Sequence, residues 1–224
     1  QLIRYDDHSD EKQRKKIKAL IEEGKSVALI SDAGSPLISD PGFKVVRAFK
    51  ELGLLVTSIP GPSSPIMALQ ISGIESDIFT FAGFVPSKTG ERRSFFEGLA
   101  SIPSTLVVFE SAKRLQKTLA QALEVLGDRQ ACVTRELTKL YEEAKQGRLS
   151  ELVNFYKDSG DPKGEIVIVF APPPVEQVSA ECIDEEIRTA LETMSVKDVA
   201  AHVSKMLGLS KKDIYERALV LSKS

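Results

Sequence analysis

The chain has 224 residues, 42% hydrophobic and 28% charged, which is ordinary globular composition and enough for a sizeable core or for two small domains. Its net charge of −2 gives no global signal for a nucleic-acid partner, so only local clusters can argue for one. Cys132, Cys182, His8 and His202 are too scattered for a disulfide framework or a zinc site. No apolar run reaches the length of a membrane span, and no signal-peptide pattern opens the chain.

Residues 1–5 read as the end of a strand. Ser9 can cap a following helix, Asp10 and Glu11 suit its positive end, and Ile17, Leu20 and Ile21 form its apolar face. Lys12, Arg14, Lys15, Lys16 and Lys18 crowd this helix, as a solvated face or an RNA contact. An apolar strand at 27–30 stops at Ser31-Asp32. A loop of small residues follows, Ala33-Gly34-Ser35-Pro36 and then Ser39-Asp40-Pro41-Gly42, leading into a helix whose Val45, Val46, Phe49 and Leu52 point inward. A second strand at 54–59 leads to a similar loop, Pro60-Gly61-Pro62-Ser63-Ser64, and another helix.

In open α/β sheets ligands bind outside the carboxyl ends of strands. Small residues there let a ligand approach the backbone, and Asp32 can accept hydrogen bonds from hydroxyl or amino groups. Two such loops after successive strands suggest one shared cleft. Ordinary strand-to-helix turns have the same composition, so the residues by themselves leave both readings open.

Gly73 to Asp77 reads as a linker. The next stretch predicts strands at 79–84, 105–109, 130–134 and 165–170, with a further strand at 141–146 and helices through 126 and over 149–156. This half is strand-rich and reads as a mixed sheet flanked by helices. Cys132 lies in an apolar run as a buried hydrophobe, and the cysteine usage points to a reducing, cytoplasmic setting. Pro172-Pro173-Pro174 is a stiff boundary. Beyond it the pattern is purely helical: Ile183, Ile187 and Leu191 on one face, a capping box at Ser195 and Asp198, and a tight turn at Gly208 before a helix capped by Ser210. Helix-turn-helix and plain helical hairpin both fit. The expected division is 1–76, 77–172 and 175–224.

No GxGxxG, P-loop, GxSxG or HExxH pattern is present, which argues against a dinucleotide or nucleoside triphosphate site. In order along the chain, SDAGSPLISDPG, IPGPSSP, FAGFVPSK, VFESAKRL and TRELTK closely resemble the tetrapyrrole-methylase superfamily, in its branch acting on small-subunit ribosomal RNA. The resemblance implies two α/β domains of the class III methyltransferase type with a C-terminal, helix-turn-helix-like segment. It further implies S-adenosyl-L-methionine as cofactor and 2′-O-methylation of a cytidine ribose in 16S ribosomal RNA, within the small ribosomal subunit, by a homodimer without membrane attachment. The family opens with a strand, a P-x-x-x-G-N loop and a D-T-R stretch; the expectation is that this chain lacks that part, and some of the cleft with it.

Carried over onto this sequence, Asp32, Ala33, Gly34 and Ser35 match the first donor loop, and Pro62, Ser63 and Ser64 match the second. A ribose hydroxyl is a poor nucleophile, and either Glu110 or Glu136, at the carboxyl ends of predicted strands, can serve as general base. A helix N-terminal carboxylate and an ion pair with Arg135 are their structural alternatives. Lys88, Arg92, Arg93, Lys113 and Arg114 are candidate RNA phosphate contacts. Methylation of a tetrapyrrole or a modified histidine, and a non-catalytic RNA- or ribosome-binding module, are the competing readings. No metal is expected.

Overall fold

The computed structural model describes residues 2–5, 11–32, 34–174 and 180–222. They form two compact units, meeting in sequence at Pro173 and Pro174. The expected cap at Ser9 and Asp10 lies outside the described residues, as does Ala33.

The first unit opens with α1 (Glu11–Glu22), α2 (Phe43–Glu51) and α3 (Ser64–Ser72). Ile17, Val45 and Phe49 form a small core, with Leu29, Leu54 and Val56 packed against it. On α1, Lys15 and Lys18 pair with Glu11 and Glu22, so two of its five cations sit on a solvated face. The segments at 27–30 and 54–59 differ from expectation, because neither forms a strand. The second still shows the alternation of a strand, with Leu54 and Val56 turned inward and Leu55 fully outward, whereas in the first only Leu29 turns inward. A strand is defined by a neighbour for its backbone groups, and among the described residues neither segment has a ladder partner.

The rest of this unit is built on a five-stranded sheet in the order β1-β2-β5-β3-β4, from β1 (Phe79–Phe84), β2 (Thr105–Ser111), β3 (Gln130–Arg135), β4 (Glu143–Arg148) and β5 (Glu165–Phe170). Its helices are α4 (Thr89–Leu99), α5 (Leu115–Leu126) and α6 (Leu149–Ser159). The run Ile166 to Phe170 is apolar at every position because β5 is the central strand, covered on both faces. Leu106, Val108, Ala131, Val133, Ile166, Ile168 and Phe170 face the core that also takes Leu115, Leu119, Ala122 and Leu126 of α5 and Leu149 and Leu152 of α6. The alternate residues Val107, Cys132, Val167 and Val169 face Ala68 and Leu69 of α3. Thus α3, which begins directly after the second small-residue loop, is pressed onto the sheet by apolar burial worth about 1.5–3 kcal/mol for a side chain such as Leu69. Polar β4 occupies one edge, a composition that discourages further strand addition.

The Cys132 thiol is fully buried, and desolvation pushes its pKa up to about 11. Cys182 is exposed. A thiol reagent at neutral pH should therefore label one cysteine quickly and the second only after unfolding. Rapid labelling of both in the folded protein, read by mass spectrometry, would contradict the packing of α3 on β3.

The second unit consists of α7 (Ala180–Leu191), α8 (Val196–Leu207) and α9 (Lys211–Leu221) around Ile187, Val199, Ala200, Val203, Ile214 and Ala218. Ser195 caps α8: its hydroxyl accepts from the Asp198 backbone N–H at 3.3 Å and donates to the Asp198 carboxylate at 2.6 Å. Gly208, at φ 67°, ends α8 in the left-handed conformation, and the Leu209 N–H returns to the Ser204 carbonyl at 3.1 Å. Arg217 of α9 forks onto Asp184 and reaches the Ala180 carbonyl at 3.0 Å, tying α9 to α7.

Candidate active site

β1 runs parallel to β2, and β2 and β3 are each antiparallel to β5. The carboxyl ends of β1, β2 and β3 therefore lie at one end of the sheet, together with the start of β5. The pairings Phe84 with Phe109, Ser111 with Glu165 and Arg135 with Ile166 fix that arrangement.

The two small-residue loops come to this end. The Ser35 hydroxyl donates to the Pro62 carbonyl at 3.4 Å, joining one loop to the other. The first loop also reaches β1: a Cβ on Gly83 would stand 3.6 Å from Ser39 Oγ, and Gly83 itself is at φ 72°. Within the first loop, Ser31 donates to Asp40 at 2.6 Å. Leu37 and Ser39 hold positive φ at 72° and 61°, and Gly42 at 137° has a backbone that strains any side chain, with the ends of Leu29 and Leu37 standing 2.7 and 2.8 Å from where its Cβ would be. Asp32 and Gly34 are exposed, and open space surrounds the Cβ position of Gly34. Ser63 is the N-terminal flanking residue of α3 and Ser64 its first residue, and Pro62 precedes them in the loop. The site therefore offers a carboxylate, hydroxyls and close backbone approach with no phosphate cradle. That donor set fits a cationic ligand bearing amino and hydroxyl groups.

Glu110 has no exposed side-chain surface. One of its oxygens accepts from the Ser111 backbone N–H at 2.6 Å and from Arg114 at 2.6 and 2.8 Å, and the other accepts from the Thr118 hydroxyl. Arg114 also donates to Ser111 Oγ at 3.0 Å. Both oxygens are thus occupied within the protein. The spacing 110, 114, 118 was the signal in the sequence that could have revealed this network. Glu136 accepts from the Glu165 backbone N–H at 2.9 Å and from Lys139 at 3.0 Å, in that order the causes that hold its carboxyl below the ordinary value. Its backbone is in the left-handed region at φ 49°. Gly164 makes room for it, because a Cβ there would overlap the Glu136 side chain.

The basic residues separate into distinct environments. Lys113 is exposed, and Lys88 is exposed beside Glu91 at 2.8 Å. Arg93 is held by Glu124 at 2.6 Å and Glu97 at 2.9 Å, which raise its pKa. Arg92 corrects the reading of it as a phosphate contact: it is only 4% exposed and donates to Gln121 at 2.7 Å and to the Ser87 carbonyl at 3.2 Å. Burial requires its guanidinium to find hydrogen-bond partners inside the protein, and the one to Ser87 anchors the loop after β1. Among the described residues no group of His, Cys, Asp and Glu could hold a metal ion, and no helix is long and apolar enough to cross a membrane.

The family model of Tetrapyrrole (Corrin/Porphyrin) Methylases matches residues 4–153, and that of the RsmI C-terminal HTH domain matches residues 176–222. Ribosomal RNA small subunit methyltransferase I of Mesorhizobium japonicum is 41% identical over 218 residues, covering 97% of this chain and 74% of the relative. The protein of the same name from Erythrobacter litoralis is 49% identical over 222 residues, covering 98% and 78%. Among solved structures, the cobalamin biosynthetic enzyme cobalt precorrin-4 methyltransferase, CbiF, shares the fold at a TM-score of 0.52 and 19% identity, over 72% of this chain and 70% of that one. With a methylase match through most of the first unit, a helix-turn-helix match through the second and relatives this similar along nearly its whole length, the chain belongs to the tetrapyrrole methylase family and, within it, to the ribosomal RNA small subunit methyltransferase I family.

Proposed function

We propose that this protein methylates the ribose 2′-hydroxyl of a cytidine in 16S ribosomal RNA, with S-adenosylmethionine as donor. The observation that carries the reading is the meeting of the first loop with both the second loop and β1, at the sheet end where the loops after β2 and β3 also lie. Similarity to ribosomal RNA small subunit methyltransferase I through both units supports the substrate class.

Bound S-adenosylmethionine supplies the methyl group on a sulfonium. Asp32, Gly34, Ser35, Pro62, Ser63 and Ser64 are the residues proposed to hold it, with Ala33, whose position lies outside the described residues. Asp32 accepts from amino or hydroxyl groups, while Gly34 and Pro62 allow close backbone approach. Methyl transfer to oxygen is a displacement whose rate depends on alignment of acceptor and donor, so a rigid pair of loops contributes by holding one reactant still.

Glu110 is read here as a positioning residue in place of a general base. Its occupied oxygens hold Arg114 by a charge-assisted pair, leaving the rest of that guanidinium to meet RNA phosphate together with Lys113, Lys88 and Arg93. Glu136 braces the turn after β3, and its lowered pKa makes it a weaker base than an ordinary carboxylate. The helical unit, with exposed Lys211 and Lys212 at the start of α9, is proposed to help engage the RNA. A homodimer working in the cytoplasm on the small ribosomal subunit, with a division of the first unit near residue 76, completes the proposal.

The test is mass spectrometry of 16S RNA from cells lacking the protein. One cytidine should lose a ribose methyl group and regain it on re-expression. A digest identical to that of the parent strain would overturn the assignment.

A further inference from the structure

The turn between β3 and β4, residues 136–142, is strained, firmly braced and tipped with apolar side chains. Glu136 and Thr138 both hold positive φ, 49° and 67°. For a β-branched residue such as Thr138 this is a true outlier, and such outliers persist only where the surroundings over-determine them, commonly at ligand clamps. Here the surroundings do so. Glu136 accepts from the Glu165 N–H, Lys139 bridges Glu136 and Glu165 at 3.0 and 2.9 Å, and the Thr138 N–H donates to the Glu142 carboxylate at 2.6 Å.

None of this bracing buries the tip, since Leu140 is 89% exposed and Tyr141 67%. The turn follows β3 at the same end of the sheet as the two small-residue loops, with exposed Lys163 just before β5 and exposed Lys113 just after β2 at that end. The carboxylates next to the tip are already engaged, Glu142 by the Thr138 N–H, Glu143 by Arg135 at 2.9 Å and Glu165 by Lys139, so among the described residues no unpaired cation stands at the ring to draw a phosphate to it. An aromatic face in that setting suits the uncharged part of a nucleotide. A ribose within folded RNA becomes accessible when its nucleotide leaves the stack, and proteins hold unstacked bases against aromatic rings.

We infer that Tyr141 is a stacking platform for an unstacked base next to the methylated nucleotide, presented on a rigid turn, with Lys113 and Lys163 meeting the flanking phosphates. This inference rests on the ribosomal RNA reading above. It is tested in the full-length enzyme with small ribosomal subunits as substrate, comparing wild type, Tyr141→Ala and Tyr141→Phe. Loss of the ring should raise KM for the subunit about tenfold to a hundredfold, with kcat, donor affinity and melting temperature unchanged. Phenylalanine keeps the ring face and should stay near wild type. An unchanged KM in Tyr141→Ala overturns the inference, as does a Phe variant as impaired as Ala, which would assign the effect to the hydroxyl. Conversion of a dimer to a monomer by Tyr141→Ala, read by light scattering, would also overturn it in favour of a contact between copies. A wild-type enzyme that fails to methylate the subunit overturns the functional reading itself, whereas an active wild type with an equally active Tyr141→Ala overturns only the role of Tyr141.

Discussion

Asp32→Ala lowers affinity for S-adenosylmethionine by about tenfold to a hundredfold and leaves the melting temperature of the protein where it was. Asp32 is exposed at the head of the first loop, so its removal disturbs no core packing, and surface substitutions of this kind usually change stability by less than about 0.5 kcal/mol. A hydrogen bond to a charged group contributes about 1.5–3 kcal/mol, which sets the expected loss of affinity. Asp32→Asn keeps the acceptor oxygen but drops the charge and should fall between Ala and wild type. Isothermal titration of the full-length protein measures all three. Wild-type affinity in Asp32→Ala would remove this residue from the donor site.

Arg129→Met should destabilise the first unit by about 3 kcal/mol, an expected fall in melting temperature of roughly 6–12 °C for a unit of this size. Arg129 is 7% exposed, and burial lowers its pKa. Its guanidinium donates to the carbonyls of Leu126 at 2.9 Å, Ala171 at 3.2 Å and Ala100 at 3.4 Å. Leu126 ends α5, Ala100 caps the C-terminus of α4, and Ala171 follows β5, so one cation serves two helix C-termini and the end of the central strand. Methionine can fill much of the space but donates no hydrogen bond, and the three carbonyls cannot be removed with it. Arg129→Lys recovers part of the loss through its own donors. A shift under about 2 °C in Arg129→Met would mean that water replaces the guanidinium at little cost.

Arg129 and Arg92 also show where the sequence was hard to read. A charged residue is assigned to the surface by default, and their partners are carbonyl or amide oxygens as far as 42 residues away. The apolar runs of β2, β3 and β5 were legible because buried strands leave few polar positions, and α5 because Leu115, Leu119, Ala122 and Leu126 recur at helical spacing. The same reasoning placed strands at 27–30 and 54–59, where the apolar runs are real but no neighbouring strand is present among the described residues. At the candidate site, small residues after two successive apolar runs pointed to a shared cleft, and the contact of Ser35 with Pro62 brings those loops together. The left-handed backbone at Glu136 and Thr138 left no trace, because neither residue is the glycine or asparagine that usually marks it.

The position of β5 sets a schedule for the chain's synthesis. It is the last of the five strands to be made, yet it lies between β2 and β3. Until residue 170 is available, those two strands have no bridge, and each leaves an open backbone edge beside apolar surface. The nascent protein must wait with its sheet in two halves, a state in which chaperones and neighbouring chains compete for the gap. Residues 174–224 follow, and at ordinary translation rates their synthesis takes about 3–10 s. In the later part of that interval, once it has cleared the exit tunnel, β5 can enter the gap while the ribosome still keeps the chain apart from others.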